Sequence, residues 1–488
     1  MRLSLLLVTF ILNLSLKAQK PYGLEYQRSF ESILLDDYEN FLFSSSSLLL
    51  TRDVGSHHYA YGLEIQEALK GEFGGLYVFG LSTDYHHKLN ELPVSININT
   101  FLGGGGGAGA PDGSGLAYRY AIGLKTHLSP HFNLFARYST YDFPTGDIGG
   151  KQVQIGFSYG MPSVFNADLK DSKVLEQSFA IQALSMSIDP KDASRLTSSY
   201  KAKLISVEYG YNINPKLKGL IRLQAAISNQ IDGYMGYYSG LSYSLLTVKD
   251  FSFNLSALIG SSGGGSMRTS GGLGSIFEYG LAYTYGNKKL SISKGINSSL
   301  EADFSAYYTQ IGILYNFQST AILGSKGKAI VSKEDYKMTK IGVDTWFELH
   351  LAPDAMDYGS LLYEDMTLMC FGIRSPINSS FEILGQTRWA LGGDYGAYAE
   401  GILGLSTVLL KHNKLNIKLP IQMIVAGGGG IDVGKGIGYQ VNIEGVYLLT
   451  KTLNLSCSMG KMYMIKGNYN PLSFSLGLQK SLFFFIKK

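Results

Sequence analysis

The stretch Gln152-Val153-Gln154-Ile155-Gly156-Phe157-Ser158-Tyr159-Gly160-Met161 alternates without a break. Val153, Ile155, Phe157, Tyr159 and Met161 fall on one side, and the glutamines, glycines and Ser158 on the other. Successive side chains of a strand point to opposite faces, so a period of two predicts a strand with one apolar and one small, polar face. The stretch returns twice. Ile311, Ile313, Tyr315 and Phe317 oppose Gly312, Asn316 and Gln318, with Leu314 out of pattern. Leu472, Phe474, Leu476 and Leu478 oppose Ser473, Ser475, Gly477 and Gln479.

The spacing upstream of each copy also repeats. Gly-Leu-Ser begins at Gly80, Gly240 and Gly404, and a glycine run begins 23 residues later each time, at Gly103, Gly263 and Gly427. The copies lie 160 and 164 residues apart, with closing glycines at Gly156, Gly312 and Gly477. Solenoid units run to about 20–50 residues, so this longer period describes a complete strand-rich module. Three modules follow, at 19–161, 177–318 and 340–488, with joining segments at 162–176 and 319–339. Segments before the runs alternate too: Val94, Ile96 and Ile98 oppose Ser95, Asn97 and Asn99, and Phe251, Phe253 and Leu255 oppose Ser252, Asn254 and Ser256. Leu415, Ile417 and Leu419 oppose Asn416 and Lys418. After the runs, Tyr118, Tyr120, Ile122 and Leu124 oppose Arg119 and Lys125, and Phe277, Tyr279, Leu281 and Tyr283 oppose Glu278 and Thr284. Tyr439, Val441 and Ile443 oppose Gln440, Asn442 and Glu444. The region Tyr26–Leu50 of module one is poorly patterned.

Charged residues make up 16% of the 488, against about 25% in soluble domains. A formal charge of +4 with no basic run gives no footing for nucleic acid. Residues 1–18 read as an export signal, with Arg2 at its start, the apolar stretch Leu3–Leu16, and Ala18 before the cut. Cys370 and Cys457 fall in alternating segments, as packed or lipid-facing thiols. No later segment has the unbroken run of about 18 apolar residues that a spanning helix needs.

An exported, weakly charged, strand-patterned chain is either a secreted β-sandwich or a membrane barrel. The polar faces carry Gly, Ser, Asn and Gln rather than the Lys and Glu of a surface in water. The alternating runs often reach about 10 residues, the length of a tilted spanning strand. Backbone groups in lipid must pair within the protein, so such strands close into a ring with an apolar exterior. The fold class is therefore all-β, a transmembrane antiparallel β-barrel. Short turns near Asn90–Glu91, Ser129–Pro130, Val248–Asp250, Asn287–Lys288 and His412–Lys414 alternate with longer connections at Gly103–Ser114, Asp142–Gly150, Gly260–Gly272 and Gly427–Gly434. Outer-membrane barrels keep short turns on the periplasmic side. That side then also takes each module's last strand end and the joining segments.

In these features the chain resembles the outer-membrane β-barrel proteins of Bacteroidota. Leu16-Lys17-Ala18-Gln19 is similar to the end of their export signals. Gln310-Ile311-Gly312-Ile313-Leu314-Tyr315-Asn316-Phe317 and Gln154-Ile155-Gly156-Phe157-Ser158-Tyr159 are similar to the closing-strand signal read by the barrel-assembly machinery. The third copy, Phe474-Ser475-Leu476-Gly477-Leu478-Gln479, is followed by nine more residues, whereas the family's signal ends the chain. The resemblance implies an outer-membrane location, with membrane lipids and the assembly machinery as partners.

Eight strands per module total about 24, each with an ordinary connection. One arrangement is a single ring of about 20–24 strands, favoured by the economy of one chain. The alternative is three small eight-stranded barrels, each filled by its own side chains. The internal closing-strand copies and the long joining segments favour that second arrangement. The single ring is the expectation carried forward.

The inward residues Arg119, Lys125, Glu278, Gln440 and Glu444 are the lumen-lining candidates. In a wide ring they set ion preference; in small barrels they pair as core charges. His57–His58 and His86–His87 do not each chelate one metal, because adjacent strand residues face opposite sides. A lipid hydrolase needs a nucleophile, a base and an orienter that converge. His127 and His131 are the available bases. The glycine runs lack the Lys-Ser/Thr of a phosphate loop and read as flexible loops or places of close backbone approach. No catalytic residue, metal or cofactor is expected. The leading function is a pore or transport-type barrel. A closed barrel that anchors loops or periplasmic partners is the alternative, and a lipid hydrolase comes third.

Overall fold

The computed structural model describes residues 23–33, 40–89, 92–161, 173–228, 230–321, 335–351, 356–357, 360–361, 365–393 and 395–487. The export-signal segment, the Asn90–Glu91 turn and most of both joining segments lie outside them. Module one holds β1 (Gly23–Ile33), β2 (Phe41–Val54), β3 (His57–Lys70), β4 (Tyr77–Lys88), β5 (Val94–Gly106), β6 (Leu116–His127), β7 (Phe132–Asp142) and β8 (Gly149–Met161). Module two holds β9 (Lys173–Ile188), β10 (Tyr200–Asn212), β11 (Leu217–Ala226), β12 (Met235–Val248), β13 (Phe251–Gly263), β14 (Leu273–Tyr285), β15 (Lys288–Ser299) and β16 (Ser305–Ala321). Module three begins with β17 (Tyr336–Leu351), whose following loop carries a hairpin of two-residue strands, β18 (Met356–Asp357) and β19 (Ser360–Leu361). It continues with β20 (Met366–Pro376), β21 (Phe381–Gly392), β22 (Ala399–His412), β23 (Leu415–Gly427), β24 (Ile437–Leu448), β25 (Leu453–Met464) and β26 (Leu472–Lys487).

The last strand of each module returns to the first. β8 pairs β1 antiparallel with Gly156 opposite Ser29. β16 pairs β9 with Gly312 opposite Gln182, and β26 pairs β17 with Gly477 opposite Trp346. The chain thus forms three eight-stranded rings, which corrects the single ring of about 20–24 strands and selects its alternative. The reason is local. Each closing strand spends its free edge on its own module, so no row of backbone donors and acceptors is left to recruit the next. Among the described residues, one strand bridge crosses between rings, Ser319 to Ile486. The three closing-strand copies found in the sequence are all eighth strands.

The faces follow the alternation. Ile122, Ile155, Phe277, Tyr279, Ile313 and Ile443 are exposed on the outside, and Arg119, Lys125, Gln154, Gln440 and Glu444 are buried inside. An apolar exterior on closed rings is what a bilayer requires. Leu314, the exception in module two, points inward and is buried. Cys370 is buried and Cys457 is exposed, and both are free. The poorly patterned Tyr26–Leu50 region spans β1 and β2. Its alternation fails because β2 is covered on both sides: Phe41 and Phe43 pack in the ring's apolar core cluster, while outward Ser46 lies against Arg28 and Tyr26. Turns 55–56, 128–131, 249–250, 286–287 and 413–414 share one end of the rings with Met161, Lys173, Ala321 and Tyr336, while the longer loops share the other.

The rings meet in cyclic order at the loop end. The run that starts at Gly263 in ring two meets Gly74 and Gly75 of ring one. The run from Gly103 meets Ala390, Leu391 and Gly396 of ring three, and Gly427 meets Gly233 of ring two. Each time, a fifth-strand glycine run of one ring abuts the loop between the third and fourth strands of another. The internal repeat has thus become a head-to-tail interface that closes on itself, as in a cyclic trimer. Phe79 of ring one stacks on Trp389 of ring three at 5.7 Å and meets Phe371 edge-on at 5.0 Å. Ring one also carries an outward ion pair, Arg28–Glu67 at 2.6 Å, with Glu67 1% exposed because Tyr237 of ring two faces it. Tyr77 of ring one donates to Ser261 of ring two at 3.4 Å.

A Cβ on Gly263 would lie 2.5 Å from the Gly75 backbone nitrogen, with backbone atoms of Gly74 as close. Gly263→Val should therefore push rings one and two apart at a cost of about 1–3 kcal/mol. Thermal unfolding of the full chain in detergent should show a lowered Tm. Gly385→Val, whose Cβ meets nothing within 4 Å, is the silent control. Equal melting of the two variants would remove the glycine contact from the interface.

Candidate functional site

All five lumen-lining candidates point into their rings and stand in paired, hydrogen-bonded networks, with Glu278 also bordering a chamber of ring two. In ring one, Arg119 is 1% exposed. It pairs with Glu64 at 2.9 Å and Glu31 at 3.4 Å, and donates to Asn99 at 2.7 Å and Ser45 at 3.1 Å. Ser139 and Gln152 donate to the other oxygen of Glu31. Lys125 pairs with Glu25 at 2.8 Å, and Arg137 with Asp84 at 2.5 Å. In ring two, Glu278 and Glu208 both hold Arg222, at 2.7 and 2.6 Å. In ring three, Glu444 holds Arg374 at 2.6 Å, and Gln440 accepts from Arg388 at 2.7 Å while donating to Ser473 at 2.7 Å. A buried charge is tolerable only when paired and hydrogen-bonded, and each of these charges has a partner of opposite sign. Above each network, toward the loop end, lies an apolar cluster, for example Phe41, Phe43, Phe73, Phe101 and Tyr141 in ring one.

The candidates missed from the sequence are the partners, Arg222, Arg374 and Arg388 above all. Their signal was present. Arg222 stands between outward Ile221 and Leu223, so the same alternation places it inside.

The paired histidines meet across β3 and β4, His58 stacked on His86 at 4.1 Å and His57 tilted against His87 at 4.8 Å. Adjacent members face opposite sides, as the strand period requires. His127 binds Ser95 at 2.7 Å through Nε2 and Asn133 at 2.7 Å through Nδ1. These are the distances of a nucleophile, base and orienter, but Ser95 is 0% exposed. A substrate carbonyl does not reach it, and the trio seals the turn end of ring one.

A wide space lies between the rings. It measures about 2200 Å³, above the roughly 300–1,000 Å³ of ordinary small-molecule sites. Its middle is lined by outward apolar side chains of all three rings, including Ile65, Ile181, Val207, Ile373 and Leu403. The glycine runs and their loops cap it at the loop end. Lys337 and Lys487 stand at the other end. The cap holds a buried acid. Asp112 accepts from the Gly107 amide at 2.7 Å and abuts Gly396 of ring three. Burial pushes its carboxyl up to about 6.

Neither a protein-family model nor a curated protein matches the chain. Solved structures do. The ferric enterobactin receptor PfeA of Pseudomonas aeruginosa, a mutant in complex with enterobactin, is similar at a TM-score of 0.29 and 10% identity, over 95% of this chain and 82% of that one. The siderophore receptor PirA from Acinetobacter baumannii gives 0.29 at 9% identity, over 96% and 81%. OccK5 (OpdH) of Pseudomonas aeruginosa gives 0.21 at 9% identity, over 95% and 98%. It is the closed rings and their apolar exteriors that bear out the resemblance to outer-membrane β-barrel proteins.

Removing Arg119 strands two buried carboxylates. Arg119→Ala should cost about 3–5 kcal/mol, read as a lowered midpoint of denaturant unfolding. A change of a few tenths would mean that water reaches the network. Asp112 gives a pH signature. Its folded pKa is raised, so its contribution to stability is whole below about pH 4 and is lost as pH rises through about 6. Asp112→Asn should flatten the stability profile between about pH 4 and about pH 6, and an unaltered profile would place the carboxyl in water.

Proposed function

We propose that this is an outer-membrane protein of transport type whose working space is the apolar gap between its three rings. The space takes up the acyl chains of a membrane lipid and presents its headgroup at the turn end. The observation that carries the reading is the pairing of filled lumens with a large apolar gap. Water and ions need a polar path, and each ring blocks its own with an ion network and an apolar cluster. An acyl chain needs the opposite, and the outward faces of Ile65, Val207 and Leu403 offer it. Lys337 and Lys487 at the open end suit an anionic headgroup. The signal-like segment at Leu16–Gln19 and the three closing-strand copies support export through a cleaved signal. They also support insertion by barrel-assembly machinery, in a protein of the Bacteroidota type.

A second reading, closed barrels that anchor loops or partners, is favoured by the same filled lumens. Two measurements separate the readings. The protein purified in detergent should carry co-purified phospholipid detectable by mass spectrometry. Val207→Trp combined with Ile373→Trp should deplete it several-fold while the fold persists. In planar bilayers no large ohmic steps should appear. Lipid retention indifferent to the tryptophans would favour the anchor, and ohmic steps would overturn the filled lumens.

A further inference from the structure

The three rings are not equally full. In each, the closing glycine is flanked on its inner face by one residue from the first strand and one from the seventh. In ring one these are Ser29 and Phe135. In ring three they are Trp346 and Ser456. One aromatic thus covers each glycine: a Cβ on Gly156 would lie 2.6 Å from the Phe135 ring, and the Trp346 ring reaches Gly372 on the neighbouring strand. In ring two the flanking residues are Gln182 and Ser291, and neither is aromatic. Gln182 covers Gly312 with a smaller side chain, its Cγ 2.7 Å from a Cβ placed there. A polar chamber of about 600 Å³ lies at the turn end of this ring, lined by Gln182, Ser256, Lys289, Ser291, Ser293 and Gln310 among others.

The floor of this chamber is the Arg222–Glu208–Glu278 cluster with Tyr308, whose hydroxyl donates to Glu278 at 2.7 Å. Arg222 offsets one of the two carboxylates, and the basic groups of the chamber lie above this floor. Nearer the mouth stand Lys218 and Lys289. Lys218 donates to Ser178 at 3.0 Å, and the one charged neighbour acting on Lys289 is Lys218. Gln182 and Gln310 belong to the chamber wall, and their Oε1 atoms are closed to water and have no hydrogen-bond partner. Their residues are only 4% and 2% exposed. Buried acceptors without donors are costly and call for a partner.

We infer that ring two is a binding site, open at the turn end, for a small anionic polyhydroxylated solute such as a sugar acid or sugar phosphate. The lysine pair holds the anionic group, and the serine hydroxyls of the wall take the solute's hydroxyls. The site is separate from the apolar gap and does not depend on its lipid.

Calorimetric titration of the full chain in detergent tests this, with glucose 6-phosphate, glucuronate, glucose and inorganic phosphate as probes. Glucose 6-phosphate or glucuronate should bind saturably, and tighter than glucose or phosphate alone. Lys289→Met should weaken binding about tenfold or more. Ser291→Phe places in ring two the aromatic that ring one carries at the same register, and should abolish binding with the near-ultraviolet circular dichroism retained. Failure of both anionic sugars to bind would overturn the site. So would binding that survives Ser291→Phe, or equal affinity for glucose or for phosphate alone.

Discussion

Everything in this molecule depends on where the eighth strand of each module finds its hydrogen-bond partner. In lipid an unpaired strand edge is intolerable. The edge can be met either by the next module or by the module's own first strand. Here Gly156, Gly312 and Gly477 all sit on strands that return home. That choice fixes ring size at eight, and an eight-stranded ring has room inside for side chains alone. The polar faces that would have walled a channel in a wide ring instead touch one another across the axis.

Ring closure also explains why the exterior became the place of interest. Once each lumen is crossed by its own arginine-centred network, much of the remaining freedom lies in how three apolar cylinders stand together. Round bodies in contact leave a gap along their common axis. The glycine runs decide how narrow it becomes at one end, because they remove the side chains that would hold the loops apart. One sequence feature, repeated three times, therefore sets both the cyclic contact and the cap. Ring two departs from its sisters by the absence of a single aromatic, so near-identical architecture yields one ring with space to spare.

Much of the fold was legible because the membrane enforces a strict code. Alternation gave the strand faces, and Arg119, Lys125, Glu278, Gln440 and Glu444 do point inward as that code requires. It failed where lipid does not touch the strand. Ser44–Ser47 of β2 are buried on both faces, so no apolar period marks them. Outward Arg28 and Glu67 broke the pattern for the same reason. Strand faces could not decide ring number, since they look alike in a ring of eight or of twenty-four. The deciding fact is a pairing between residues more than a hundred positions apart, of which the three closing-strand copies were the trace. The working gap was invisible for a related reason: it is built from faces that, ring by ring, read simply as lipid-facing.

The Arg28–Glu67 pair has a consequence for biogenesis. Outward charges are expensive in hydrocarbon, and ring one displays two until Tyr237 of ring two covers them. A lone first ring would therefore be a poor final product, drawn toward its successor as it enters the bilayer. The order in which the chain is threaded and the order in which its cylinders become comfortable in lipid are thereby coupled, and a protein cut after the first ring would carry an exposed wound on its flank.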